Sequence, residues 1–182
     1  HPQPLSLSRR GEFESNHTKA EQLSQQALEK YQANQLSQAI KLWEQALILV
    51  REVGDKPQEA TFLGNLAIAY KTLGNYVKAI ETNQKSLEII RELGNLENES
   101  KVLKNLGNVY EALGDYDNAI ASYERSLTIA CQINNQSVIA LALNNLGQID
   151  SNQGKYDKAI NTLEESLSIS RAKKDIPIQT ST

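Results

Sequence analysis

The chain has 182 residues, of which 23% are charged, a formal net charge of −3 and a sequence pI near 5.5. This balance carries no basic stripe for nucleic acid, no apolar run reaches bilayer-spanning length, and a lone cysteine, Cys131, excludes an internal disulfide. The length allows a sizeable core, and a forty-residue internal period makes that core one continuous array rather than separate domains.

In chain order, residues 1–15 carry Pro2 and Pro4 and no clear helical period, so they read as a flexible lead or tag remnant outside the fold. The array then occupies 16–174, in units of about 16–55, 56–95, 96–135 and 136–175. Helix pairs are expected near 17–33 and 36–53, 56–73 and 76–93, 96–113 and 116–133, and 136–153 and 156–173. The first unit is the loosest copy, with Ala27, Tyr31, Ala39, Ile40, Ala46 and Leu47, and with Trp43 expected in its core. Residues 175–182 form a tail. Its Asp175-Ile176-Pro177 repeats Asp55-Lys56-Pro57 three periods on, as the start of a fifth unit would.

The third unit shows how each is built. Leu103, Leu106, Gly107 and Tyr110 form one apolar stripe, Gly114 ends the helix, and Asp115 caps the next. Ala119, Tyr123, Ser126, Leu127 and Cys131 are expected to line the buried side of the second helix. Gly107 with Ala119, Ala67 with Ala79 and Gly147 with Ala159 should let paired helices approach closely. Gly54-Asp55, Gly94-Asn95 and Asn134-Asn135 place the same stop-and-cap pair between units. Tyr70, Tyr76, Tyr110, Tyr116 and Tyr156 read as framework, and Cys131 as an inert buried residue. The fourth unit should be the weakest, because Asp150 replaces Tyr70 and Tyr110 and Lys155 replaces the cap Asp115.

These units resemble tetratricopeptide repeats, in the recurring Asn-Leu-Gly or Asn-Leu-Ala, Tyr, Leu-Gly-x-Tyr, Ala-Ile and Ser-Leu positions over about 17–173. The closing proline is absent and the period exceeds the usual thirty-four, as in a long-repeat subgroup. That subgroup includes kinesin light chains, polarity adaptors and bacterial arms, some attached to CHAT peptidase domains. The resemblance implies an all-α, right-handed solenoid of four helix-turn-helix repeats that binds a protein or peptide in a concave groove.

The family turns toward that groove the side of the first helix carrying Asn65, Asn105 and Asn145, with Gln25 at the same phase in the first unit. A carboxamide can pair with both N–H and C=O of an extended backbone. One turn on lie Leu28, Ile68, Asn108 and Gln148, and Lys101 and Lys104 make the middle mildly basic, fitting a mildly acidic ligand. The same asparagines could instead bond to a neighbouring helix and fix the repeat spacing.

The lysine and asparagine clamp by which some family members hold chaperone C-termini is largely missing. The first three units supply Ser24, Leu28, Asn65, Lys101 and Asn105 at its five positions. Catalytic, metal and cofactor sites are not expected: His1 and His17 stand far from Cys131, and Asp115, Asp117 and Asp157 are explained as helix-start carboxylates. The expected function is a protein-interaction module. Its alternatives are a regulatory arm on an attached catalytic domain such as a CHAT peptidase, as in bacterial signalling, or a spacer that self-associates through its terminal repeat. The expected compartment is the cytoplasm.

Overall fold

The computed structural model describes the backbone of residues 7–174 and the side chains of 14–172. Among the described residues it holds eight helices and no strand: α1 (Leu7–Gln32), α2 (Leu36–Val53), α3 (Lys56–Thr72), α4 (Tyr76–Glu92), α5 (Leu96–Leu113), α6 (Tyr116–Gln132), α7 (Gln136–Asn152) and α8 (Tyr156–Lys174). Seven of the eight begin on the expected residue. The exception is α1, which starts at Leu7, so part of the stretch assigned to a lead is helical. The tail at 175–182 lies outside the described residues.

The chain divides into two compact units between Leu93 and Gly94. In the first, α1 packs on α2, α2 on α3 and α3 on α4; in the second, α5, α6, α7 and α8 pack in the same succession. Each of the two units contains two helix pairs.

Local chemistry sets the helix ends. Asp55, Asn75, Asn95, Asp115 and Asn135 each accept a hydrogen bond from the backbone N–H three residues on, satisfying a donor at the helix start. Between α6 and α7 the left-handed position falls on Asn134, at φ 54°, rather than on glycine. Asparagine tolerates that conformation better than other side chains do.

Inside the second, third and fourth helix pairs a buried serine hydroxyl crosses to the partner helix. Ser86 donates to the Ala60 carbonyl at 2.8 Å, Ser126 to Ser100 at 2.7 Å and Ser166 to Ala140 at 2.7 Å. Trp43 is buried in the first pair, where its ring N–H donates to Ser24 Oγ at 3.2 Å. Tyr123, fully buried, leans over Gly107: an added Cβ would come within 2.6 Å of its Cδ1. The close approach there is between glycine and an aromatic ring, and in the fourth pair Leu163 takes the ring's place over Gly147.

Three expectations are corrected. Cys131 is exposed, because the buried stripe of α6 runs Ala119, Tyr123, Ser126 and Ala130, and the next residue points outward. Tyr116 and Tyr156 open their helices 37% and 66% exposed, so neither is a buried framework residue. Asp150 is no simple loss of a tyrosine, since its buried carboxylate is held by Lys158.

Candidate functional site

In the first unit, α1 and α3 are bridged at two levels. Near one end Gln58 Nε2 donates to Glu21 Oε1 at 3.2 Å, and near the other the Tyr31 hydroxyl meets Thr72 Oγ1 at 3.1 Å. Between those bridges in sequence lie Gln25 and Leu28 on α1, and Asn65 and Ile68 on α3. Leu28 and Ile68 are 42% and 40% exposed, Gln25 is exposed, and Asn65 is half-buried with no hydrogen bond to another described residue. The strip is therefore two apolar side chains flanked by two carboxamides, on a face whose edges are tied.

The corresponding face of the second unit is differently wired. Asn145 Nδ2 donates to Asn108 Oδ1 at 3.0 Å, joining α7 to α5. The Tyr123 hydroxyl, from α6, lies 2.7 Å from both Asn108 Oδ1 and Glu111 Oε2, and its single proton serves one of them at a time. Burial, and then the hydrogen bond and charge of Glu111, push the Tyr123 phenol well above its ordinary range. Asn108 and Asn145 are thus brought together, Asn105 is half-buried, and Gln148 is exposed. Lys101 is ion-paired with Glu97 at 2.6 Å, which offsets the positive charge expected there, and Lys104 is half-buried.

A second polar cluster lies where α1 meets the α2–α3 turn. Glu59, nearly buried, takes hydrogen bonds from Arg51 Nε at 2.7 Å and Lys56 Nζ at 2.8 Å. Burial raises its pKa, but those two hydrogen bonds and charges outweigh burial and hold it below the usual carboxylate value. His17 Nε2 approaches Asp55 Oδ2 at 3.2 Å beside this cluster. Sequence reading missed both contacts, although Arg51 and Glu59 stand eight residues apart across a legible turn.

Among the described residues no group of three or more His, Cys, Asp or Glu side chains is arranged to hold a metal ion. No described helix is long and apolar enough to cross a membrane.

The tetratricopeptide repeat model matches residues 30–92, 63–132 and 97–172, and the chain belongs to that family. No curated protein matches the chain in sequence. Among solved structures it is similar to BtubC (BKLC) from P. vanneervenii, at 23% identity and TM-score 0.78, covering 90% of this chain and 68% of that one. It is similar to aspartyl phosphate phosphatase F from Bacillus subtilis at 20% identity and TM-score 0.83, covering 88% and 42%. A Rap protein complexed with competence and sporulation factor is similar at 23% identity and TM-score 0.78, covering 87% and 44%. These likenesses show the fold. The chain spans less than half the length of the last two neighbours.

Proposed function

We propose that the chain is a protein-interaction module that takes a segment of another protein along the first-helix faces of its repeats. The observation that carries this reading is the Gln25–Leu28–Asn65–Ile68 strip, where exposed apolar side chains accompany an Asn65 carboxamide with no hydrogen bond to another described residue. Such a group can pair with a ligand's backbone, and the neighbouring Leu28 and Ile68 can cover an apolar side chain. The second unit offers Asn105 and Gln148 beside the engaged Asn108–Asn145 pair. The Rap neighbour's structure is a complex with competence and sporulation factor, which supports the reading that a chain of this fold takes a ligand.

Lys101 is already offset by Glu97, so salt weakens binding of an acidic ligand only modestly. A second reading makes the module a regulatory arm on a catalytic domain such as a CHAT peptidase. Support for it comes from the neighbours, 42% and 44% of whose lengths this chain spans.

The test is a peptide-display selection on the intact chain, followed by calorimetric titration of the selected peptide against a variant with Asn65, Asn105 and Asn145 all changed to Ala. Lost binding with an unchanged circular dichroism spectrum supports the first-helix faces. Unchanged affinity moves the site elsewhere.

A further inference from the structure

Tyr123 stands between two acceptors and can satisfy one of them. Its hydroxyl, carried by α6, lies 2.7 Å from Asn108 Oδ1 and 2.7 Å from Glu111 Oε2, both on α5. Burial, and then the hydrogen bond and charge of Glu111, keep the phenol protonated, so the hydroxyl brings a single proton to the pair. The two acceptors are not equally served. Asn108 Oδ1 also accepts from Asn145 Nδ2 at 3.0 Å, so it has a donor whichever way the hydroxyl turns. Glu111 bonds no described residue other than Tyr123. When the proton points to Asn108, a half-buried carboxylate faces the hydroxyl at 2.7 Å with no donor from the chain.

The charge at this place is peculiar to the second unit's first pair. The forty-residue counterparts of Glu111 are Tyr31, Lys71 and Ser151, none of them a carboxylate. On α5 itself Lys101 is already paired with Glu97, and it stands ten residues back, about 15 Å along the helix. Glu111 is one turn beyond Asn108, so it adjoins the carboxamides of that first-helix face.

We propose that Glu111 selects a cationic residue, lysine or arginine, in the segment that the second unit binds, an inference that rests on the first-helix faces holding the ligand. An ammonium or guanidinium supplies the donors that Glu111 lacks, and hydrogen bonds between ionised partners are about twice as strong as neutral ones. Once the cation engages the carboxylate, the Tyr123 proton settles on Asn108 and the competition for it ends. A ligand backbone N–H would supply a donor but leave the charge uncompensated, and an acidic residue would be repelled. The ligand as a whole can still be mildly acidic, with one basic residue at this position.

The experiment uses the intact chain and peptides selected on it by display. Lysine or arginine should be enriched at one aligned position of the selected peptides. The leading peptide and its variant with glutamine at that position are then titrated calorimetrically against the parent chain and against Glu111→Gln. The cation should add about tenfold in affinity with Glu111 present and less than about twofold with Glu111→Gln. On the parent chain, glutamate at the same peptide position should weaken binding further than glutamine does. Selected peptides with no basic preference would overturn the role of Glu111 and leave the first-helix faces as the binding site. Equal losses for both peptides on Glu111→Gln would overturn it too, making Glu111 a support for Tyr123. A selection that yields no peptide would sink both readings.

Discussion

Asp150 and Lys158 meet at 3.0 Å at the positions where, two repeats earlier, Tyr70 and Lys78 meet through a ring face, with the ammonium 5.2 Å from the centroid. A carboxylate only 3% exposed has replaced a phenol, and the same lysine position partners both. Lys158→Ala therefore strands a buried charge and should cost about 1–3 kcal/mol in denaturant titration. Asp150→Tyr should be tolerated within about 1 kcal/mol, because Glu124 repeats the Glu44 that accepts from the Tyr70 hydroxyl at 2.7 Å. In that background Lys158→Ala should lose most of its effect. Equal losses in both backgrounds would show that the pair is not the source.

The asparagines of the first-helix faces should separate by energetic role. Asn145→Ala removes the 3.0 Å bond to Asn108 and should destabilise by about 0.5–1.5 kcal/mol. Asn65→Ala removes no bond to a described residue and should stay within about 0.5 kcal/mol of the parent. Chemical denaturation of the two single variants checks the ordering.

Alkaline pH should expose Tyr70. Burial, and then the hydrogen bond and charge of Glu44, raise its pKa to about 12. Between the ordinary phenol value of about 10 and that value, the folded state keeps a proton that the unfolded state has lost, so stability falls as pH rises through this window. Tyr70→Phe should flatten that part of the profile in thermal melts compared side by side. Glu59 works at the other end, since its depressed pKa gives stability that is present above the usual carboxylate value and lost as pH drops through the folded one.

Gly107→Ala should be more damaging than its size suggests. The new methyl would press on the Tyr123 ring, which is fully buried and hydrogen-bonded at its far end, at an expected cost of about 1–3 kcal/mol. Gly147→Ala meets the half-buried Leu163 instead, which can rotate, and should cost less. Thermal melts of the two variants test the order.

The helix pairs were legible because the forty-residue period, the Asx caps and the left-handed stops agree at almost every boundary. The start of α1 was not, since Pro2 and Pro4 obscured the helical stretch that opens at Leu7. Burial was read one residue too far on α6, where Ala130 takes the place given to Cys131. Such an error is natural when a stripe is extrapolated through eleven residues at 3.6 per turn. The carboxamide positions could be chosen from the pattern, but their partners could not. Whether Asn145 reaches Asn108 depends on the rotation of α7 against α5, and no local sequence signal carries that angle.

The serine-to-carbonyl bonds within the helix pairs have a consequence for how such a protein can change over generations. Ser86 to Ala60, Ser126 to Ser100 and Ser166 to Ala140 each span the same twenty-six residues. Copying or deleting one whole unit leaves every remaining hydroxyl opposite its carbonyl. A gain or loss of one residue inside a pair rotates the serine away by about 100° and strands a buried polar group. Lineages carrying this chain should therefore differ by whole units and tolerate few single-residue insertions within a pair. The turns between units, by contrast, should accumulate length differences freely.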